Sequence, residues 1–300
     1  MAEQTAEQSA EQRSVPVGEV ELCVETFGDP ARPTVLLVAG AAASMDWWEV
    51  DLCRRLAEAG PHVVRYDHRD TGRSTTGRPG APAYGGWQLA RDCAGLIEAL
   101  AVGRVHLVGL SMGGGIGQWV ALRRPELLAS LTLVSTTAAG GVDRGSLPGP
   151  SPEVSAAFAA PPPDPDWTDV GSYVDWVLAG QRALAGRIPL DEPRVRALAA
   201  SVHARSIDPA AAGNHWLVVG GDGDASEEVP LDVRRTTAPT LVVHGSHDPL
   251  FPLPHGRALA AAIPDASLLV VPGMGHQVPP APTWDLVVPA LLDHPGASGA

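Results

Sequence analysis

The segment Val105–Gly115 places one serine between glycines, and the type and spacing of these residues could support nucleophilic chemistry. It reads VHLVGLSMGGG, a short apolar run followed by Ser111 with Gly109 and Gly113 two positions away on either side. A serine between a strand and a helix, flanked by such small residues, is typical of a nucleophile elbow, a tight turn that exposes the hydroxyl. The pattern is short enough to arise by chance, and the glycines would then only mark a loop. The strand before it and the helix after it favour the nucleophile.

A serine hydroxyl needs a general base to accept its proton, and histidine is the residue type best suited to that role. When the chain order is serine, acid, histidine, the base follows the last strand. His276 lies in the glycine-rich loop VVPGMGH directly after the predicted strand SLLVV, so it is the predicted base; the alternative is an ordinary histidine in a turn. The remaining candidates lie in an insertion, near the C-terminus or within a strand: His203, His215, His294 and His106.

The carboxylate that orients the base should follow a strand between the serine and the histidine. The segment TLVVHGSHDPL supplies Asp248 just past such a strand. An aspartate before proline is also a common turn former, which is the alternative interpretation. The segment after the preceding strand, Ser135–Thr137, holds no carboxylate, so Asp248 is the predicted acid.

An oxyanion site needs two backbone N–H groups near the serine. The elbow supplies the N–H of Met112, and the loop after the predicted strand VLLVAG supplies that of Ala41. Small residues in this loop could equally serve only to form a tight turn. Gly40 and Ala42, on either side of Ala41, are candidates for contact with a substrate.

Short β-branched runs separated by helical stretches predict the frame that positions these residues. The runs do not alternate apolar with polar residues, which is typical of strands covered on both faces. The sequence therefore predicts an α/β fold whose central sheet is mostly parallel, with helices on both faces. Strands are predicted at 15–28 (two strands), 35–40, 62–67, 105–110, 131–134, 240–245 and 267–271, and helices around 47–59, 87–100, 114–124, 254–262 and 282–292.

The βα rhythm stops after residue 137 and resumes at about 237. We therefore predict a core formed by 15–137 and 237–296, interrupted by a mainly helical cap or lid at 138–236 with helices around 170–184 and 195–203. Insertions at the carboxyl ends of parallel strands commonly shape ligand sites. The repetitive polar segment 1–14 is predicted to be a disordered tail.

Aromatic residues are frequent in the predicted cap. They could stack on a flat substrate or simply form a small core within the cap, and the sequence leaves both open. The candidates for substrate contact are Trp167, Trp176 and Trp216, accompanied by Phe158 and Tyr173.

The composition excludes several functional classes. The net charge is −13, and all 21 positively charged side chains are arginines, with no lysine. This charge argues against nucleic-acid and anionic membrane partners. The three cysteines (23, 53 and 93) form no CxxC pair, so neither metal nor redox chemistry is indicated and no cofactor is expected. Without a secretory signal pattern or a membrane span, a soluble cytoplasmic protein is expected, with its oligomeric state open.

Three blocks of sequence carry a family resemblance: GLSMGG at the elbow, YDHRDTGRSTT at 66–76, and HDPLFPLPHG together with VPGMGH near the end. Over residues 15–295 the chain resembles the α/β-hydrolases, and within that fold the serine esterases related to aclacinomycin methylesterase. The resemblance implies that Ser111 is the nucleophile, Asp248 the acid and His276 the base. Many members carry His-Gly in the oxyanion loop where this chain has Ala39-Gly40, and the likeness does not extend to the cap.

The loop residues His68, Arg69 and Asp70 are interpreted as structural, holding the floor of the active site. The favoured function is hydrolysis of a small-molecule carboxylic ester through an acyl-enzyme. The relatives remove a methyl ester from polyketide-derived substrates, and such an ester is one candidate substrate. The resemblance does not itself carry the methyl ester over, because the cap, which sets substrate choice, shows no likeness. The same residues could cleave a lactone, a thioester or a C–C bond, or catalyse cofactor-free perhydrolysis. A non-catalytic ligand-binding protein is the third hypothesis. An epoxide hydrolase or dehalogenase is disfavoured because Ser111 stands where those relatives normally carry aspartate.

Overall fold

A twisted sheet forms the centre of the computed structural model, which describes residues 11–85, 87–219 and 230–294. Within those residues the strand order is β1-β2-β4-β3-β5-β6-β7-β8, with β1, β2 and β4 paired antiparallel and all other neighbours parallel. The predicted mostly parallel sheet is confirmed. The strands are β1 Glu11–Val17, β2 Val20–Phe27, β3 Thr34–Val38, β4 His62–Tyr66, β5 Val105–Leu110, β6 Leu128–Val134, β7 Thr240–Gly245 and β8 Ser267–Val271.

Helices cover both faces of the sheet, as the non-alternating strands indicated. Apolar side chains of α2, α3 and α8 pack with the sheet into one buried cluster, and those of α1 and α9 into another. Every residue of β3, β4, β5 and β7 is buried, because each strand is covered from both sides. The helices are α1 Val50–Glu58, α2 Gln88–Leu100, α3 Met112–Arg123, α4 Pro152–Ala159, α5 Val170–Leu184, α6 Glu192–Arg205, α7 Asn214–Val218, α8 Pro254–Ala262 and α9 Trp284–Leu292.

The first strand begins earlier than the sequence indicated. Residues 11–14 were predicted to belong to a disordered tail, yet β1 begins at Glu11 and pairs with β2 along its whole length. The Gln12 side chain donates to Glu25 at 3.0 Å, so polar residues at a sheet edge are held by their cross-strand partners. The prediction was wrong for these four residues, and residues 1–10 lie outside the described part of the chain.

Four helices, α4 to α7, lie in the described part of the segment between β6 and β7. The predicted helix at 170–184 matches α5, and α6 extends the predicted 195–203 at both ends. No helix was predicted before residue 170 of the cap, but the proline-rich stretch contains α4. Pro152 occupies the first turn of α4, where its missing N–H costs nothing, and the Ser151 side chain caps that turn by accepting from Val154 N–H. We call α4–α7 and their connections the cap; its predicted limits, 138 and 236, stay a prediction.

A buried ion cluster joins the cap to the core. Arg205, at the end of α6, donates through both terminal nitrogens to Asp67 at 2.7 Å, and donates to Asp46 at 2.6 Å. Burial disfavours the charged guanidinium, but the two carboxylates outweigh it and hold the pKa of Arg205 above its ordinary value. The cap is thus anchored by charge as well as by packing.

All three cysteines are buried and free. Burial raises the pKa of the thiol to about 11 for Cys23 and to about 12 for Cys53 and Cys93.

Among the helices of the described residues, none is long and apolar enough to cross a membrane.

Candidate active site

Ser111 occupies the sharp turn between β5 and α3, with φ +52° and ψ −114°. A non-glycine residue in this region is strained and persists only when its surroundings hold it. Two hydrogen bonds do so: Ser111 N–H donates to Val134 O, and the Thr136 hydroxyl donates to Ser111 O, each at 2.9 Å. The end of the neighbouring strand β6 therefore secures the turn.

The glycines around Ser111 are required by close backbone approaches. A Cβ on Gly109 would lie 2.2 Å from Gly113 O, and one on Gly113 would lie 2.4 Å from Val38 O. Real Cβ atoms do not come so near a carbonyl oxygen, so no larger residue fits without moving the elbow. Gly115 differs, because nothing lies within 4 Å of a Cβ built there.

The structure brings Ser111, His276 and Asp248 together, although 165 residues separate the first two. His276 Nε2 lies 3.0 Å from Ser111 Oγ, and its Nδ1 lies 2.9 Å and 3.1 Å from the two Asp248 oxygens. With Nδ1–H donated to the carboxylate, the lone pair on Nε2 faces the serine hydroxyl. This is the geometry that serine activation by a general base needs.

Asp248 is held as an ionised acceptor. One of its oxygens also accepts the backbone N–H groups of Leu250 (2.9 Å) and Phe251 (2.8 Å), which explains the turn that follows it. Burial would raise the pKa of Asp248, but the imidazoles of His276 and His244 and the Phe251 N–H together lower it below the ordinary value. The acid therefore stays charged beside the histidine.

The loop that carries His276 packs tightly against the cap. His276 N–H donates to Leu184 O at 2.9 Å, and Arg187 N–H donates to Gly273 O at 2.7 Å. A Cβ on Gly275 would lie 2.3 Å from Gly186 N. The glycines of VPGMGH thus allow the chain after α5 to lie directly on the base-bearing loop.

Of the two N–H groups predicted for an oxyanion site, that of Met112 directly follows Ser111 and that of Ala41 belongs to the loop after β3. Met112 is the first residue of α3, so its N–H has no acceptor within the helix. In the loop after β3, no hydrogen bond among the described residues uses Ala41 N–H. Gly40 packs beside the serine, since a Cβ there would lie 3.6 Å from Ser111 Cβ. Ala42, by contrast, donates its N–H to His215 Nδ1 at 3.0 Å, and this contact fixes the loop.

The predicted structural loop His68–Asp70 makes the contacts of a scaffold. His68 Nε2–H donates to Ala39 O at 3.1 Å, and burial, with the nearby His215, lowers the pKa of His68 to about 3. Arg69 forms a two-bond ion pair with Asp92 at 2.6 and 2.7 Å. Asp70 accepts from backbone and side-chain donors on three segments. These are Gly77 N–H (2.6 Å), the Tyr84 hydroxyl (2.8 Å) and the Asn214 amide (2.9 Å).

The three candidate tryptophans lie in two different places. Trp167 and Trp176 contact each other in a small hydrophobic cluster within the cap that includes Tyr173. Trp216 lies on α7 and is 51% exposed. Its ring meets that of Phe158 edge-on, with 6.2 Å between the ring centroids. The packing gives Trp167 and Trp176 a structural part in the cap core, and contact of any of the three with substrate stays a prediction.

Sequence reasoning missed the participation of His215 and Thr136. His215 was set aside because it lies in the insertion, yet it binds the loop after β3. No sequence signal identified this contact: Asn214 and His215 are adjacent polar residues before an apolar run, and only the structure shows that both are completely buried. Buried polar pairs of this kind must have hydrogen-bond partners.

The chain is similar to known hydrolases in sequence and in fold. Residues 33–279 match the family model for the α/β hydrolase fold. The chain is 33% identical over 288 residues to the rhodomycin D methylesterase DauP of Streptomyces sp. strain C5 and, over the same length, to DnrP of Streptomyces peucetius; each alignment covers 89% of this chain and 92% of the relative. Among solved structures, the 2-hydroxy-6-oxo-6-phenylhexa-2,4-dienoate hydrolase of Rhodococcus sp. strain RHA1 superposes with a TM-score of 0.71 at 22% identity, covering 95% of this chain and 98% of that chain, a likeness of fold.

Proposed function

The chain belongs to the α/β-hydrolase fold family, and within it we propose that the protein is a serine carboxylesterase. One observation carries the proposal: Ser111 Oγ lies 3.0 Å from His276 Nε2, while His276 Nδ1 lies 2.9 Å from a buried Asp248 oxygen. A serine, a histidine and a carboxylate in this sequence of contacts can generate a nucleophile at neutral pH without a cofactor.

In the proposed reaction, Ser111 Oγ attacks the ester carbonyl carbon as His276 Nε2 accepts the hydroxyl proton. The imidazolium that forms is stabilised by Asp248, to which its Nδ1–H remains bonded. The tetrahedral intermediate collapses, the C–O bond to the alcohol breaks, and His276 returns its proton to the leaving alkoxide. Water, activated by the same imidazole, then attacks the acyl-enzyme and releases the acid, restoring the serine hydroxyl.

The negative oxygen of the tetrahedral intermediate needs donors that are already in place. We assign this role to the N–H groups of Met112 and Ala41. Support comes from the position of Met112 at the start of α3, where the helix dipole favours negative charge, and from the packing of Gly40 against Ser111.

The substrate we propose is a methyl ester on a small polyketide-type molecule. The support is the identity to the two methylesterase relatives, which extends over nearly the whole of both chains. A substrate panel separates this from the other reactions that the same residues could perform. It contains a methyl ester, the larger alkyl ester of the same acid, a thioester and a lactone, and we expect the highest kcat/KM on the methyl ester.

Intact-mass measurement after exposure to a fluorophosphonate tests the nucleophile. We expect one adduct on the wild type and none on Ser111→Ala. The matched control is Ser201→Ala on α6, an exposed serine that does not lie in an elbow. This control should carry the adduct at the wild-type rate. A wild type that stays unmodified and hydrolyses no member of the panel would overturn the proposed function in favour of ligand binding without catalysis.

A further inference from the structure

The loop after β3 is held in a strained conformation by a histidine from the cap. Ala42 has φ +57°, a left-handed backbone that alanine adopts at a cost. Its N–H donates to His215 Nδ1 at 3.0 Å, across 173 residues of sequence. The Ala41–Ala42 peptide adjoins the Gly40–Ala41 peptide, which bears the proposed oxyanion donor and whose carbonyl accepts from Ala43 N–H at 3.3 Å. The bond to His215 therefore acts together with this turn bond to set the direction of the donor.

The contacts of His215 specify its protonation. Its Nε2 lies 2.9 Å from Arg69 O, and since a carbonyl only accepts, Nε2 must carry the hydrogen. Nδ1 is then left with a lone pair, which is what Ala42 N–H needs. The side chain is completely buried, so water does not compete for either bond.

A second imidazole holds the other end of the same loop. His68 Nε2–H donates to Ala39 O, and its ring meets that of His215 edge-on at 5.8 Å. The segment Ala39–Ala42 therefore lies between two buried histidines, one from the core and one from the cap.

We propose that His215 is a positioning residue for the oxyanion loop, so that a cap side chain completes the arrangement in which Ala41 N–H stabilises the tetrahedral intermediate. The inference rests on the proposed function. Burial lowers the pKa of His215 below its ordinary value, against the opposing effects of Arg69 O and Asp70, which keeps Nδ1 available to accept.

Docking of this cap segment does not depend on the bond to Ala42. The neighbouring Asn214 donates to Asp70 at 2.9 Å and to Arg78 O at 3.1 Å, and it accepts from Gly80 N–H at 2.8 Å. These bonds hold α7 on the core by themselves. Removing the His215 acceptor should therefore loosen Ala42 while the cap stays seated.

Two conservative variants separate the two ring nitrogens. In His215→Asn, the side-chain oxygen occupies roughly the place of Nδ1 and can still accept from Ala42. In His215→Gln, the amide extends toward the place of Nε2 and leaves Ala42 N–H without its acceptor. The control is His203→Gln, the same substitution elsewhere in the cap, where His203 Nε2 lies 2.9 Å from Trp167 O and the imidazole ring packs beside Tyr173, away from the loop after β3.

For His215→Gln we expect kcat on the methyl ester to fall about 10- to 100-fold with KM within about twofold, because a misplaced donor weakens binding of the transition state rather than of the substrate. His215→Asn should recover most of that loss. Amide hydrogen exchange at Ala42 should accelerate at least about tenfold in the Gln variant and much less in the Asn variant. His203→Gln should leave both kcat and exchange at Ala42 near the wild-type values.

The proposal would be overturned if the His215→Gln variant kept the kcat of the wild type and also exchanged the Ala42 amide hydrogen at the wild-type rate. Equal losses in the Asn and Gln variants, tracking a lowered melting temperature, would also overturn it by showing a role in stability alone. The exchange measurement is independent of turnover. An inactive wild type would therefore refute the proposed function, while fast exchange in the Gln variant would still identify His215 as the residue that holds the loop.

Discussion

Arg205 and Asp67 form a buried, two-bond ion pair between the cap and the core, with both N···O distances at 2.7 Å. Asp67 directly follows strand β4, and its oxygens also accept the backbone N–H groups of Met45 and Arg73 at 2.9 Å. Each of the two oxygens of Asp67 therefore accepts two hydrogen bonds, one from Arg205 and one from a backbone N–H group. A buried pair satisfied in this way is costly to break from one side.

Arg205→Met removes the cation and leaves the buried carboxylates of Asp67 and Asp46 without the positive charge that pairs with them. We expect the free energy of unfolding to fall by about 3–5 kcal/mol, measured by urea denaturation. The matched control is Arg196→Met on the same helix, where the partner of Arg196 is the exposed Asp175 at 2.8 Å and the loss should be below about 1 kcal/mol. Equal losses in the two variants would mean that the buried cluster does not anchor the cap.

Asp248→Asn should lower kcat on the methyl ester by about 10³- to 10⁴-fold, because the neutral amide stabilises neither the required tautomer of His276 nor the imidazolium. Fluorophosphonate modification should slow in parallel. Asp265→Asn makes the same change at an exposed turn and should leave kcat unaltered. A loss of tenfold or less in Asp248→Asn would contradict the assignment of Asp248 as the acid.

Alanine substitutions at two glycines of α3 should change the stability of the protein in opposite directions. Gly113→Ala places a Cβ 2.4 Å from Val38 O and should destabilise the protein by at least about 1–3 kcal/mol. Gly115→Ala meets open space and should stabilise the helix by up to about 1 kcal/mol. The midpoints of urea unfolding give both values, and shifts of the same sign would refute the steric explanation of the elbow glycines.

His106, buried in β5, should make the protein less stable in mild acid. Burial, with the nearby His294 and Arg104, lowers the pKa of His106 to about 4, while its Nδ1 lies 2.9 Å from Ser130 Oγ. Between the ordinary histidine pKa of about 6.5 and pH 4, the unfolded chain binds a proton that the folded chain rejects. This contribution to stability is therefore present above about pH 6.5 and is lost as the pH falls.

The variant His106→Gln tests this. The decrease in the free energy of unfolding from pH 7.5 to pH 4.5 should be about 1–3 kcal/mol smaller in the variant than in the wild type. Urea unfolding at the two pH values measures it. Parallel decreases in the two proteins would show that His106 is not the group responsible.

The sheet and the elbow that carries Ser111 could be predicted from the sequence because their signals are local. A buried parallel strand reads as a short β-branched run, and β7 and β8 begin and end where that pattern does. The elbow was recognisable because Gly109 and Gly113 are sterically required. The start of α3 was placed two residues late, since Gly114 and Gly115 donate to Ser111 O and draw Met112 into the helix.

The remaining features depend on contacts that span the chain. The bond from Ala42 to His215 joins segments 173 residues apart, and no pattern in either segment predicts contact with the other. Helix α4 was missed because proline signals loop except in the first turn of a helix, where Pro152 lies. The strand residues 11–14 are polar, so only their pairing with β2 identifies them.

Because its three thiols are buried and the chain has no lysine, the folded protein offers neither a reactive thiol nor a side-chain amine for attaching labels. Cys23, Cys53 and Cys93 are held as neutral thiols inside the protein, so maleimides find no reactive sulfur on the folded surface. One cysteine introduced on the exposed surface of the cap would therefore be the only reactive thiol of the folded protein. A second introduced cysteine on the core would allow a pair of fluorophores to follow cap movement during turnover.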